Sequence, residues 1–322
     1  MELTPDFSIS INGSSTFPKE RVISIRTTDE AGIVSDSCEI ELDDFDGALQ
    51  FPNTEAKVVV SLGYKETGLT KIGTYFVREI AVDGARHIVR IQCNAAPKAM
   101  RSQKTKTNEN TISSFLNNMS EDLELDSALS DELGDMDLSN NPQFAESDMN
   151  YLTRMSQKIG AVAKPVDGHL VIANDMSTKS VTGQSLPTKY LDSSEVASYS
   201  CNFKETETSG FAGTVYVNWY EKETGEYHLE KVGNGDPETE LQEIFSTKEQ
   251  AISAAQAKFK RITKENKTFR FSVAGRTDLF AESPIIIRGF NTKIPTKWII
   301  SRVEHSFSSS GFISSIDCCI GD

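Results

Sequence analysis

The sequence has few of the features that indicate a membrane protein or a disulfide-rich protein. No window approaches the roughly 18 consecutive apolar residues that a membrane-spanning helix needs, and the N-terminus lacks the basic start and apolar stretch of a signal peptide. The five cysteines are scattered, and the adjacent Cys318 and Cys319 could bond only as a strained vicinal pair. We therefore expect reduced thiols, no membrane anchoring and a cytoplasmic site of synthesis.

Histidine is also scarce, which argues against a metal site. The four histidines are dispersed and none stands in a His-Glu-x-x-His arrangement; they are His87, His169, His228 and His305. The acidic turn Asp43–Gly47 fails as a calcium loop, because aligning its glycine puts Leu42 and Asn53 at ligand positions. We interpret it as a surface turn.

Motifs of catalysis are missing as well. The sequence has no Gly-x-Ser-x-Gly elbow, phosphate-binding glycine loop or cysteine-protease signature. Among 47 acidic residues some pair of carboxylates can always lie close together in the fold. The sequence shows no pocket pattern or sugar-stacking aromatic residues beside such a pair, so the pair is no evidence of acid–base catalysis. We predict no catalytic residue, no metal and no cofactor, and hence a protein that is not an enzyme.

Negative charge is abundant and unevenly placed. The 33 basic and 47 acidic residues give a net charge of -14. Residues 107–150 contain eleven acids and neither lysine nor arginine, so the rest of the chain is close to neutral. Such a chain is poorly suited to binding nucleic-acid phosphates, because that binding depends on basic side chains. The acidic run is interpreted as a solvated face or loop, with a docking surface for a basic partner as the alternative.

The 322 residues suggest two domains or so at about 150 residues each, and the hydrophobic periodicity divides the chain into three regions. Residues 1–97 alternate like half-buried strands, with a hairpin turn at Asp83–Gly84. Residues 196–322 again alternate and end in a hairpin through residues 308–311. A helix at about 246–265 interrupts them, with Ser246 and Glu249 as its capping box.

The middle region, residues 98–195, has a different period. It predicts a helix over 111–119 capped by Asn110, and a second helix over 147–160 with Ser147 as its cap and Gly160 as its stop. A hairpin follows through Asp167–Gly168, and residues 174–195 are interpreted as a linker. The chain is therefore predicted to be α+β and β-rich, with two β-domains flanking a small α+β insert.

Two stretches resemble the late control D proteins, the tail hub proteins of contractile-tailed phages. The first, ESDMNYLTRMSQKIGAVAKPVDGHLVIA at 146–173, has the family's Leu-x-Arg (Leu152, Arg154) inside a helix and its glycine stop (Gly160). The second, KWIISRVEHSFSSSGFISSIDC at 297–318, resembles the family's closing hairpin, with Trp298, His305 and Gly311. The N-terminal half fits the same pattern, but Pro-Asn-Thr-Glu-Ala at 52–56 replaces an expected Pro-x-x-Gly.

The resemblance implies a structural role in the virion tail or baseplate. Each subunit would supply two barrel domains similar to the tail-tube protein, and three subunits would form a ring that lines the central channel and adapts the six-fold tube to the three-fold spike. Partners would be other copies in a homotrimer, the spike, the tube or tube-initiator, the tape-measure protein and baseplate wedge proteins. DNA would only pass through. The protein would be made in the bacterial host cytoplasm.

The six motif positions also have ordinary structural interpretations. Arg154 is either a surface ion pair or an anchor between domains, and Trp298 and His305 are either strand packing or partner contacts. Three alternative functions stay open: the hub portion of a secretion-type spike, a peptidoglycan-degrading hub and a carbohydrate-binding attachment protein. The first usually continues into a long β-helical needle, and the second needs an extra catalytic domain. The third needs exposed aromatic clusters, whereas the only tryptophans, Trp219 and Trp298, lie in strand patterns.

Overall fold

A computed structural model describes residues 3–15, 17–32, 34–106, 111–130, 133–134, 142–158, 161–174, 178–203, 213–235, 238–265 and 267–320. Strands dominate these ranges, accompanied by the helices α1 (Ile112–Asp122), α2 (Asp148–Lys158) and α3 (Lys248–Glu265). The predicted α+β, β-rich class is confirmed.

The strands are, in chain order, β1 (Pro5–Ile11), β2 (Ser14–Ser15), β3 (Val22–Glu30), β4 (Ser37–Asp43), β5 (Lys57–Tyr64), β6 (Gly68–Asp83), β7 (Ile88–Asn94), β8 (Gln103–Lys106), β9 (Asp126–Leu129), β10 (Gln143–Ser147), β11 (Ala161–Val166), β12 (His169–Asn174), β13 (Lys189–Asp192), β14 (Val196–Phe203), β15 (Thr214–Glu221), β16 (Glu226–Gly233), β17 (Glu238–Phe245), β18 (Lys267–Ala274), β19 (Pro284–Arg288), β20 (Lys297–Ser308) and β21 (Gly311–Cys319).

One large sheet joins the first and third regions of the chain. Its thirteen strands follow the order β14-β18-β21-β20-β3-β4-β7-β6-β5-β1-β2, with β19 beside β20 and β13 beside β19. The two regions meet where β20 pairs antiparallel with β3, from Arg302 opposite Glu30 to Ser308 opposite Ser24. Among the described strands none closes a barrel. The β-rich regions are therefore halves of one continuous sheet.

The same six-strand arrangement occurs twice in this sheet. The first region has the neighbours β3-β4-β7-β6-β5-β1, and the third has β14-β18-β21-β20-β19-β13 in the same chain order. Even the register shifts coincide, at Ile23 and Ala197 in the first strand of each series and at Arg78 and Ser301 in the fourth. The outermost pairs differ, because β1–β5 is antiparallel and β13–β19 is parallel. The chain thus contains a structural repeat that periodicity did not reveal.

Alternate apolar residues bury two cores on one face of the sheet. The first core includes Ile25, Ile40, Val58, Val77 and Ile91, and the second includes Phe269, Phe271, Trp298, Ile300 and Ile316. The cores share a face because Phe307 of β20 lies opposite Ile25 of β3 and packs against the first core. In an antiparallel sheet such alternation leaves the other face polar and exposed.

The insert packs two helices against the small sheet β11-β12-β9. Its core includes Leu116, Met119, Tyr151 and Leu170. The predicted hairpin is confirmed: β11 pairs antiparallel with β12, and both residues of the Asp167–Gly168 turn have the positive φ that such a tight turn needs.

The helix starts follow the predictions to within one residue. Ser147 caps α2, because its hydroxyl accepts a hydrogen bond from the Asn150 N–H at 3.2 Å. Thr111 caps α1, and the predicted Asn110 lies outside the described residues. For α3 the capping hydroxyl belongs to Thr247, which accepts from the Gln250 N–H at 3.3 Å, and the predicted Ser246 box is wrong.

Several strands were not foreseen, namely β8, β9 and β10 of the insert as well as β13 and β17. Strand β13 lies within the expected linker 174–195 and pairs parallel with β19. Strand β17 joins β15 and β16 in a separate three-stranded sheet. Helix α3 covers one face of that sheet, with Val215, Val217, Phe245 and Ala255 in the core between them. The helix predicted at 246–265 is therefore part of a larger inserted unit between β14 and β18.

Glu55 stands at the position where the expected Pro-x-x-Gly pattern has its glycine. This residue has a φ of 72°, a left-handed conformation that favours glycine. Its carboxylate accepts hydrogen bonds from the Lys98 N–H at 2.6 Å and from Arg101 at 3.1 Å. The side chain thus ties the turn before β5 to the start of the insert, which a glycine could not do.

Two substitutions of Glu55 should separate the cost of its left-handed backbone from the contribution of its two hydrogen bonds. We expect Glu55→Ala to lower the free energy of unfolding by about 2 kcal/mol, because it removes both hydrogen bonds and keeps the left-handed backbone. Glu55→Gly removes the same bonds but relieves about 1 kcal/mol of backbone strain. Urea unfolding of both variants measures the difference. A glycine variant less stable than the alanine variant would contradict this account.

Candidate functional site

The large sheet has a polar side that is the candidate functional surface of the chain. It is formed by alternate residues of eight adjacent strands, β14-β18-β21-β20-β3-β4-β7-β6, on the side opposite the two cores. We call this surface the polar face. Its charged members include Arg26, Glu30, Glu39, Glu41, Asp43, Glu79, Asp83, Arg90, Arg270, Arg302, Glu304 and Asp317.

Ion pairs run across the polar face from strand to strand. Arg90 of β7 contacts Glu41 at 2.7 Å and Glu39 at 3.6 Å, both on β4. The Arg90 hydrogen bond holds the pKa of Glu41 below its ordinary value. Each pair contributes little to stability by itself because it is exposed. Together with the Arg270–Asp317 pair, such contacts place a carboxylate beside each of Arg26, Arg90, Arg270 and Arg302.

The pairs continue where the two regions meet. Arg302 contacts Glu30 at 3.1 Å and Glu304 at 2.9 Å, while Arg26 lies 3.5 Å from Glu304. Burial raises the pKa of Glu30 above its ordinary value, against the attraction of Arg302. Carboxylates outnumber the guanidinium groups among the charged members of the polar face, so it is acidic but extensively paired.

A second polar cluster lies where all three regions of the chain meet. The Lys164 ammonium, on β11 of the insert, lies 2.9 Å from Asp36 and 3.7 Å from Asp29 and also donates to the Glu30 carbonyl. Asp29 accepts a hydrogen bond from the Ala281 N–H of the third region at 2.8 Å. These groups line a cavity of about 320 Å³. The cluster fixes the insert to both halves of the sheet.

Burial dominates the electrostatics of this cluster. It raises the pKa of Asp36 to about 7, although Lys164 pulls in the opposite direction. The Lys164 side chain is only 9% exposed, and removing one partner of a buried pair leaves the other without compensation. Lys164 interrupts the otherwise apolar run formed by Ala161–Ala163 and Pro165–Val166. A lone charge in an apolar strand was the signal that could have identified it.

The six motif positions are not brought together in one site. In the insert, Leu152 is buried in the core, and Gly160 lies outside the described residues. Arg154 contacts Glu146 at 2.5 Å, donates to the Pro142 carbonyl at 3.1 Å and lies over the Tyr151 ring. Arg154 therefore ties α2 to the segment around β10 within the insert.

The other three motif positions belong to the closing hairpin. Trp298 is buried against Phe269, and its indole N–H donates to the Pro295 carbonyl at 2.6 Å. His305 is buried with its Nδ1 at 2.8 Å from the Ser314 hydroxyl, and burial lowers its pKa to about 4. Gly311 has a φ of 115° in the turn between β20 and β21. All three serve packing and turn geometry in this chain.

The acidic turn at Asp43–Gly47 binds an arginine. Arg21 contacts Asp46 at 2.5 Å and lies 3.9 Å from Asp44. In the described residues no group of three or more histidine, cysteine, aspartate or glutamate side chains is arranged to hold a metal ion. Within those same ranges no helix is long and apolar enough to cross a membrane.

Comparison with known sequences gives a consistent result. Residues 138–311 match the family model described as phage tail baseplate hub (GPD). The "Probable baseplate hub protein" of Escherichia phage 186 is 26% identical, with 98% of this chain and 92% of that protein covered. The protein of the same name from Escherichia phage P2 is 24% identical over 98% and 93%.

Solved structures share the fold at low identity. A tail protein from Neisseria meningitidis MC58 has a TM-score of 0.71 at 11% identity, covering 98% of this chain and 97% of that one. The 43 kDa tail protein of prophage MuSo2 from Shewanella oneidensis has a TM-score of 0.67 at 13% identity, covering 98% and 96%. An Escherichia coli type VI secretion system component reaches 0.60 at 10% identity, covering 98% and 77%.

The buried cluster predicts a pH-dependent effect of Lys164→Met. Because the folded-state pKa of Asp36 lies above its ordinary value of 3.8, its ionisation destabilises the fold as pH rises towards about 7. In the Lys164→Met variant the pKa of Asp36 rises further, so the free energy of unfolding continues to fall above pH 7. We expect the variant to lose about 3 kcal/mol at pH 9 and clearly less at pH 6.

Urea unfolding at the two pH values measures this difference. Lys71→Met is the matched control, because Lys71 pairs with Asp167 at 2.7 Å but the two side chains are 48% and 41% exposed, against 9% and 10% for Lys164 and Asp36. We expect the control to lose little and to show no such pH dependence. An equal loss for Lys164→Met at both pH values would refute the uncompensated-carboxylate explanation.

Proposed function

The chain belongs to the phage tail baseplate hub (GPD) family, and we propose that three copies of it form the hub ring of a contractile phage tail or a prophage-derived injection device. This ring adapts the six-fold tail tube to the three-fold spike. The family is one of structural baseplate proteins. That the chain has no enzymatic activity stays a prediction.

The repeated six-strand arrangement is the observation that supports this proposal. Each chain carries the arrangement twice, in β3-β4-β7-β6-β5-β1 and in β14-β18-β21-β20-β19-β13. Three copies would therefore present six similar six-strand units to the six-fold tube, and three chains to the three-fold spike. In this proposal residues 1–97 and 196–322 are the two tube-like barrel domains, and the insert, residues 98–195, lies outside or below the ring.

The polar face is proposed to line the central channel. The two cores already occupy the opposite face, so the polar face is the side of the sheet free for contact with water and passing cargo. Its carboxylate excess disfavours DNA retention, and its arginines are already paired with carboxylates. DNA and the tape-measure protein would pass through, while the spike, tube or tube-initiator and wedge proteins would be bound partners.

The hub portion of a type VI secretion spike is the second candidate. It is favoured by the shared fold with a type VI secretion component, of which 77% is covered. The two tryptophans give little support to the carbohydrate-binding alternative, which needs exposed aromatic clusters. Trp298 is buried, and Trp219 stacks on His228 with ring centroids 4.6 Å apart and donates to Glu230.

The mass of the assembled protein tests the ring. Light scattering behind a sizing column should give three times the 35.5 kDa chain mass for the protein alone, or three chains plus the mass of the bound spike when the ring forms only with the spike protein of the same phage. A chain that stays monomeric under both conditions would remove the basis of the symmetry-adaptor role. Robust binding on a glycan array would instead favour host attachment.

Charge reversal tests the channel lining. We expect Glu39→Lys, on the polar face, to leave tail assembly unchanged and to slow DNA ejection by about tenfold, because three added cationic sites attract phosphates. Glu121→Lys is the control, since Glu121 is exposed on α1 of the insert. Ejection is followed with a DNA-binding dye on purified virions. Equal effects of the two variants would contradict a lining role.

A further inference from the structure

Several strand edges of the large sheet are not covered by a described strand, among them those of β14 and β6. Strand β14 ends the sheet and pairs only with β18. Strand β6 is long: its first half, Gly68–Phe76, pairs with β5, and its second half pairs with β7. Beyond Phe76 the side of β6 that faced β5 therefore has no partner strand in the described part of the chain. Such edges expose unpaired backbone groups that another strand can bind.

The edge of β14 lacks the features that usually protect a free edge. Its sequence, VASYSCNF, contains no charged residue and no proline. Tyr199 is 50% exposed and Phe203 is 48% exposed. On the second half of β6, Val82 is 57% exposed on the core side. An uncharged edge flanked by exposed apolar side chains favours coverage in the assembled state.

The chain itself contains a pattern for that coverage. In the third region β20 is the long strand, equivalent to β6: its start pairs with β19 and its second half pairs with β3, the first strand of the other repeat. The equivalent of β3 in the third region is β14. The β20–β3 pairing within one chain thus corresponds to a β6–β14 pairing, which can only be made between two chains because β6 and β14 are separated by the intervening strands.

The residue equivalence follows from the registers. In the first region Val82 lies opposite Val89 of β7, which lies opposite Leu42 of β4. In the third region His305 lies opposite Ser314 of β21, which lies opposite Val273 of β18. Since the bulge residues Arg78 and Ser301 each lie four residues earlier in these strands, Val82 is equivalent to His305. By the same comparison Cys201, opposite Phe269, is equivalent to Thr27, opposite Cys38.

His305 lies opposite Thr27 in the chain. Transferred to two chains, this register places Val82 opposite Cys201 and Ile80 opposite Phe203. All four lie on the core side of their strands, whereas Ala81 and Asp83 would meet Asn202 and Ser200 on the polar face. Both faces of the sheet therefore match across the contact. The pairing is antiparallel, as in the rest of the eight-strand path.

From these observations we infer that β14 of one copy pairs antiparallel with the second half of β6 of the next copy, with Val82 opposite Cys201 of its neighbour. This assignment rests on the proposed hub ring and names the strands that close it. A heterologous contact of this kind forms a ring when the rotation closes.

Cross-linking to a native cysteine tests the register. In Val82→Cys, copper–phenanthroline oxidation should join chains into covalent dimers and trimers on a non-reducing gel. Cross-strand neighbours lie close enough for a disulfide or, failing its dihedral geometry, a short bismaleimide bridge. We expect at least about tenfold more cross-linked product than in Val82→Cys/Cys201→Ser. Tyr227→Cys, exposed on β16, should not cross-link to Cys201.

The mass of the same samples separates the two proposals. A trimer by light scattering that gives no Val82–Cys201 product with either reagent would overturn the strand assignment and leave the hub ring intact. A chain that remains monomeric, alone and with its spike protein, would overturn the ring and this inference together. A trimer with the expected product, lost in the Cys201→Ser control, supports both.

Discussion

The antiparallel pairing of β20 with β3 is the contact on which the rest of the structure depends. It joins two regions separated by more than 270 residues into one sheet and fixes which side chains face the cores. Because side chains alternate along a strand, a one-residue slip of β3 past β20 would turn Ile25 to the face opposite Val303 and bring Arg26 towards the cores. The polar face and the two cores are thus consequences of one register.

His305 shows how that contact accepts a buried polar group. Its ring is nearly inaccessible between β3 and β21, and burial lowers its pKa to about 4. It is therefore neutral near pH 7, and the Ser314 hydroxyl bonds to its Nδ1. The equivalent residues of the first region are Val82 and Val89. The two repeats therefore share a strand arrangement while differing in the side chains at this point.

Local patterns predicted the local structure well. The hairpin with the Asp167–Gly168 turn, the alternating strands and the two helices of the insert all depend on neighbouring residues. The β6–β7 hairpin also forms, but Asp83 ends β6 and the positive φ falls on His87 rather than on Asp83 and Gly84. Non-local features were missed for a physical reason. Strand β13 has only four residues and exists through its pairing with β19, about 95 residues later. The bond between Lys164 and Asp36 spans 128 residues, and no periodicity relates them.

The location of charge changes how the acidity of the chain should be interpreted. The described acids of the run 107–150 belong to the insert, where Glu121, Asp122 and Asp126 are exposed. The polar face has a smaller excess, and its arginines are held by carboxylates. A guanidinium already bonded to a carboxylate has fewer free donors for a phosphate. If this face lines the channel, its paired arginines offer few free donors to DNA, while eleven acids of the chain lie in the run 107–150 rather than on this face.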